Sequence, residues 1–210
     1  MTQEARGTGI DGGAGSAGGP DGFGSLDYSA LSEADAGAVK GAIARGENFH
    51  GYIPSASLEF IIRNYRALAA LGLLEAPWLD AYVHTSHFAP YGASTLKSVF
   101  DACDRDRLRS LKPLSQVAAG GDRFTLFRGC AGPVHELGMS WTSSLDKAIW
   151  YAAHHAAYYD LANCAAYVAT VPSSDIYCQL DHYDDDFIVY PLRAWRIDVP
   201  ASEFRLDRPR

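Results

Sequence analysis

The sequence predicts an α+β protein in which the helices come first and the strands follow. Between residues 28 and 120, apolar residues recur at spacings of three and four, which is typical of amphipathic helices. After residue 121, short runs rich in β-branched and aromatic residues alternate with turn residues, which indicates strands. Helices followed by strands with hairpin-length connections favour an α+β fold.

Composition predicts one folded domain with a tail. The chain has 210 residues, and its hydrophobic content of 48% is sufficient for a sizeable core. Residues 1–25 are rich in glycine and are expected to be a disordered tail, because they carry few side chains to bury. We expect a mostly helical segment over 26–120 and a β-rich core over 121–210, with 26–210 forming one compact domain.

Capping residues and periodicity place the predicted helices. Gly72 and Pro77 are expected to interrupt the helical pattern, and residues 108–117 are compatible with either a helix or a loop. The predicted helices run from Leu31 to about Arg45 with Ser32 as N-cap, from Leu58 to about Leu73 after a cap at Ser55 or Ser57, from Trp78 to about His84, and onward from Ser94 or Thr95.

Four strands are predicted, at 124–128, 165–171, 187–192 and 194–199. A long helix from Leu145 to Tyr159, capped by Ser144, separates the first two. The run 165–171 is almost continuously apolar, which suits the middle of a sheet.

Charge and hydropathy exclude several classes of protein. A net charge of -7 argues against a general nucleic-acid coat, although it is compatible with a specific nucleic-acid substrate. No apolar run is long enough to span a bilayer, and no basic segment precedes an apolar one, so we predict neither a membrane span nor a signal peptide. A cytoplasmic protein, or an effector delivered from the cytoplasm, is expected. The four cysteines are widely spaced and are expected to be free thiols.

Three short motifs carry candidate chemistry. The first is the apolar strand 124–128, which ends on Arg128 followed by Gly129. An arginine at this position projects into a cleft, where it binds phosphate bidentately, or lies on the surface at a strand end.

The second motif is the hydroxyl-rich run 138–144, which contains Ser140, Trp141 and Thr142. Its hydroxyl groups orient a substrate or merely cap the following helix. The ring of Trp141 is either part of the core or a platform for stacking.

The third motif is Asp184-Asp185-Asp186, directly before the apolar run 187–189. Three readings remain open: catalytic carboxylates, a site for a divalent cation, and a solvated acidic loop. Residues 175–183, which precede the acidic cluster, are expected to form a mobile turn that meets a partner.

The order of the three motifs resembles the Arg–Ser–Glu signature of the NAD-dependent ADP-ribosyltransferase family. The resemblance covers residues 122–192 and implies a split β-sheet core that takes NAD as substrate, cleaves the nicotinamide–ribose bond and transfers ADP-ribose. It implies that Asp186 is the principal catalytic acid and that Asp184 selects the acceptor. It also implies that Ser140 is a catalytic residue that supports the active site. The cofactor-binding residues that it implies are Arg128, Gly129, Ser140, Trp141 and Thr142, and it implies no metal.

The chain departs from the family in having aspartate where the family has glutamate. Because aspartate is one methylene shorter, a catalytically inactive binding module of the same fold is one alternative. An NAD glycohydrolase, which transfers to water, is another, and an unrelated α+β hydrolase with a metal in the acidic loop is a third. The expected acceptor is a macromolecule, with protein arginine favoured by an acid at Asp184.

Overall fold

The computed structural model describes residues 26–85, 88, 90–115, 122–132, 138–180 and 186–207. These residues form six α-helices and one antiparallel sheet of six strands, which confirms the α+β class. The helices are α1 (Glu33–Ala44), α2 (Ser57–Ala70), α3 (Glu75–His84), α4 (Gly92–Ala102), α5 (Arg105–Leu111) and α6 (Leu145–Tyr159). The strands are β1 (Arg123–Cys130), β2 (Ser140–Thr142), β3 (Ala165–Pro172), β4 (Cys178–Leu180), β5 (Asp186–Ile188) and β6 (Trp195–Ile197).

The first two helices begin in different ways. The predicted cap of α1 is confirmed, because the Ser32 hydroxyl accepts a hydrogen bond from the Asp35 amide at 3.1 Å. The predicted serine cap of α2 is wrong. Ala56 occupies the cap position, and Ser57 lies buried inside the first turn, where its hydroxyl donates to the Pro54 carbonyl at 3.1 Å.

Gly72 lies between α2 and α3, as predicted, but the interruption predicted at Pro77 is wrong. Helix α3 begins at Glu75, so Pro77 does not break it. Pro77 lies in the first turn, where a missing N–H costs no helical hydrogen bond. Helix α5 is a genuine helix, because the Asp104 carboxylate accepts from the amides of Asp106 and Arg107.

The sheet has the strand order β4-β5-β2-β1-β3-β6, and every neighbouring pair is antiparallel. The long pair β1 and β3 runs in continuous register from Arg123 opposite Pro172 to Cys130 opposite Ala165. The expectation of a mobile turn over 175–183 is wrong for its central part. There, β4 pairs with β5, and Cys178 and Leu180 are buried.

The helices and one end of the sheet share a single hydrophobic core. Helical residues such as Phe60, Trp78 and Phe100 pack in one cluster with residues from β4, β5 and the segments just before β2 and β4, namely Met139, Tyr177, Cys178, Leu180 and Ile188. A second cluster consists of Leu126, Trp141, Ala169, Val171, Ile176, Phe187 and Val189. No helix in the described part of the chain has the length and apolar character needed to cross a membrane.

A buried histidine lies where the helices meet. His50 Nδ1 is 2.8 Å from the Ser57 hydroxyl, and the His50 ring stacks on His84 with centroids 5.5 Å apart. The Asp80 carboxylate, which accepts from Asn48 Nδ2 at 2.6 Å, is the nearby negative charge. Burial lowers the pKa of His50, His84 lowers it further, and Asp80 acts in the opposite direction.

The lowered pKa of His50 predicts that the protein loses stability in mild acid. In the unfolded chain His50 takes up a proton near its ordinary pKa of 6.5, before the folded protein does. The contribution of neutral His50 to the stability of the folded protein is therefore complete above the ordinary pKa, and it is lost as the pH falls below that value. Thermal unfolding between pH 8 and pH 5 should show a smaller decline for His50→Gln than for the parent. Parallel declines would contradict this role.

Candidate functional site

Three adjacent strands bring the three motifs together. Thr142 on β2 pairs with Phe127 on β1 and with Asp186 on β5, so β2 lies between the strand that carries Arg128 and the strand that carries the acid. Neighbouring strands lie about 4.8 Å apart, so the backbones of β1 and β5 are about 10 Å apart here. The ordered motifs of the sequence therefore form one neighbourhood in the fold.

Arg128 is bound directly to the hydroxyl-rich strand. Its Nη1 donates to the main-chain carbonyl of Ser140 at 2.7 Å. Removal from water lowers the pKa of Arg128, whereas Tyr82, Cys130 and Asp186 raise it. Since desolvation is the largest of these effects, an anion placed against the guanidinium would stabilise its charge.

Gly138 makes room for this arginine. A Cβ atom built on Gly138 would overlap the guanidinium of Arg128, so a side chain at this position would displace it. The Gly138 carbonyl also accepts a hydrogen bond from Trp141 Nε1 at 3.0 Å. The sequence placed Gly138 at the start of the motif but gave it no role.

A tyrosine from the helical layer completes the cluster. Tyr82 on α3 is buried, and its hydroxyl lies 2.9 Å from the Ser140 hydroxyl. Burial raises the pKa of Tyr82 to about 12, Ser140 and Arg128 act to lower it, and Asp186 raises it further. Sequence reasoning missed Tyr82, because a buried tyrosine in a helix has the pattern of an ordinary core residue.

The hydroxyl directly opposite the acid belongs to Thr142. Ser140 pairs with Ile188, whereas Thr142 pairs with Asp186. Side chains two residues apart on a strand, and those directly opposite across it, share a face, so Ser140, Thr142 and Asp186 project from the same face. The Thr142 hydroxyl accepts from the Ser144 amide at 3.2 Å, and the Ser144 hydroxyl caps α6 as predicted.

Gly129 and Trp141 are packing residues. A Cβ atom on Gly129 would overlap the Ala148 carbonyl and lie 2.8 Å from the Ala152 amide nitrogen, so β1 needs a glycine where it meets α6. Trp141 is buried in the second core cluster, and its ring has no exposed face for a ligand. The structure shows the packing of both residues, and their predicted contacts with the cofactor stay predictions.

The remaining sequence predictions concern the acidic loop. Asp184 and Asp185 lie outside the described residues, whereas Asp186 is half-buried at the start of β5. Among the described residues, no group of three or more histidine, cysteine, aspartate or glutamate side chains is arranged to hold a metal ion. The metal-binding interpretation of the acidic cluster depends on Asp184 and Asp185 and stays a prediction.

Comparisons of the chain with protein-family models, with curated proteins and with solved structures found no match.

Proposed function

We propose that the protein is an NAD-dependent ADP-ribosyltransferase that cleaves the nicotinamide–ribose bond and transfers ADP-ribose to a macromolecular acceptor, with protein favoured. The observation that carries the proposal is that Arg128, Ser140 and Asp186 lie on three adjacent strands, with the guanidinium of Arg128 bonded to the main-chain carbonyl of Ser140. Asp186 is distant in the sequence from the other two residues, and each of the three has the chemistry that the reaction needs.

In this proposal Arg128 binds the diphosphate of NAD. A guanidinium forms paired, charge-assisted hydrogen bonds with phosphate oxygens. The hydrogen bond from Arg128 to the Ser140 carbonyl holds the guanidinium in place before the substrate arrives. Such preorganisation lowers the entropy that binding would otherwise cost.

Asp186 acts at the bond that breaks. As nicotinamide leaves with the bonding electron pair, positive charge develops on the ribose, and a nearby carboxylate stabilises it. The acceptor then forms a bond to the same ribose carbon and loses its proton. The hydroxyls of Ser140 and Thr142, on the face that Asp186 shares, orient the ribose, and Asp184 prepares the acceptor.

Turnover with labelled NAD tests the proposal. The full chain is incubated with NAD that carries a label on its adenine, first alone and then with cell lysate. Release of nicotinamide with transfer of label, and a mass increase of one ADP-ribose on acceptor peptides, is the expected result. Release without transfer would indicate a glycohydrolase. NAD binding without release would indicate an inactive module, which the aspartate at position 186 favours as the second candidate.

Arg128→Ala is expected to weaken NAD binding by about 1.5 to 3 kcal/mol, which is roughly 10- to 150-fold in Kd. The variant loses a charge-assisted contact that alanine cannot replace. Calorimetric titration with NAD measures the effect. Arg123→Ala is the matched control, because Arg123 lies exposed on the same strand. Equal affinities of the parent and Arg128→Ala would rule out the role assigned to Arg128.

A further inference from the structure

Strand β6 forms one edge of the sheet. It pairs with β3 through Ala166 opposite Ile197, Tyr167 opposite Arg196 and Val168 opposite Trp195. Within the described residues no strand pairs with its other side. The main-chain groups on an unpaired edge form a template that another strand can join.

Large apolar side chains are exposed at this edge. Trp195 on β6 is 56% exposed, and Leu192, just before the strand, is 90% exposed. A cavity of about 210 Å³ adjoins the edge and is lined by Cys164, Ala165, Arg196, Ile197, Asp198, Val199 and Phe204. The edge therefore offers both a protruding indole and a recess of mixed polar and apolar lining.

The residues of the edge alternate in character. Within β6, Trp195 and Ile197 project from one face and Arg196 from the other. Continued past the end of the strand, the same alternation groups Val199 with Ile197 and Asp198 with Arg196, and both Arg196 and Asp198 are exposed. A two-fold axis perpendicular to the sheet leaves each face of the sheet on its own side, and residues directly opposite each other must share a face. Every register that satisfies both conditions places one residue of the strand opposite the same residue of the second copy. The strand therefore allows only a few symmetric registers.

One of these registers is self-complementary. With Ile197 opposite its copy, Arg196 lies opposite Asp198 of the second copy, and Asp198 lies opposite Arg196 of the second copy. The same register places Trp195 of the second copy opposite Val199, which lines the cavity. A register centred on Arg196 would instead oppose two arginines, and one centred on Trp195 would leave Arg196 opposite an alanine.

We propose that β6 binds β6 of a second copy of this chain, antiparallel and centred on Ile197, so that the two sheets join into one. Opposite charges directly across an antiparallel pair stabilise it, and like charges destabilise it. Because of the two-fold symmetry, the interface contains two Arg196–Asp198 pairs, one on each side of the axis. This proposal is independent of the proposed enzymatic function.

Charge exchange tests the register. Sedimentation equilibrium of the full-length parent is expected to show a dimer. Arg196→Asp alone, or Asp198→Arg alone, places like charges opposite each other twice, which should weaken dimerisation about tenfold or more. The double variant, Arg196→Asp with Asp198→Arg, restores opposite charges and should restore the dimer. Arg193→Asp, an equal change in charge at an exposed site outside β6, should leave dimerisation unchanged.

Three results would overturn the proposal: a parent that stays monomeric at its highest soluble concentration, single variants that dimerise as the parent does, or a double variant as weak as the singles. Circular dichroism of each variant separates a lost interface from a lost fold. Loss of the dimer in single variants that keep the parent's circular dichroism, together with its restoration in the double variant, supports the pairing between copies.

Discussion

Asp186→Asn is expected to lower the rate of nicotinamide release by about a hundredfold or more, while the affinity for NAD stays close to that of the parent. The amide keeps the shape of the side chain but lacks the charge, which is needed mainly when the ribose becomes positive. An interaction that is specific to the transition state lowers turnover without a matching loss of affinity. Nicotinamide release and calorimetric titration with NAD, measured on the same samples, give the two quantities.

Three further variants make the result specific. Asp175→Asn, an exposed aspartate between β3 and β4, is the control for loss of a carboxylate and should behave as the parent. Asp184→Asn should reduce transfer more than cleavage by water. Asp186→Glu tests the length of the acidic side chain. Faster nicotinamide release would mean that aspartate is too short to reach the ribose, and slower release would mean that the position of Asp186 already compensates for the shorter side chain. Unchanged release in Asp186→Asn would disprove the catalytic assignment.

Gly129→Ala is expected to destabilise the fold by about 3 kcal/mol, at the upper end of the range for overpacking. The added methyl group would overlap main-chain atoms of α6, which cannot rotate away as a side chain can. Helix α6 must then shift, and it carries with it the Ser144 cap and the adjoining end of β2. Urea unfolding measures the loss.

Gly37→Ala is the matched control for this substitution. Gly37 lies in α1, and nothing lies within 4 Å of a Cβ atom built there. Alanine is the better helix former, so this variant should gain about 0.5 to 1 kcal/mol. Similar unfolding free energies for Gly129→Ala and the parent would show that α6 adjusts at little cost, and would refute the tight contact.

The long elements of the fold follow from local sequence. Helix α6 has its cap, and strand β3 has a continuous apolar run, so both were predicted close to their observed bounds. Strand β4 could not be predicted in this way. It has three residues, too few for a periodicity, and its strand conformation depends on pairing with β5. Tertiary pairing decides the conformation of such short segments.

The candidate site likewise contains residues that a sequence motif indicates and residues that only the three-dimensional fold brings in. Arg128, Ser140 and Asp186 lie on the adjacent strands β1, β2 and β5, and their common role in one site stays a prediction. The contact of Tyr82 with Ser140 spans 58 residues, and no local pattern announces it. The fit between Gly138 and the arginine likewise depends on three-dimensional proximity.

The shared core of helices and strands sets the smallest piece of this chain that can be expressed alone. Met139, Cys178, Leu180 and Ile188 are buried among helical residues, so a fragment beginning near residue 121 would present them to water. A contiguous apolar surface of that kind leads to aggregation. Anyone seeking a minimal unit for crystallisation or screening should therefore retain the helices.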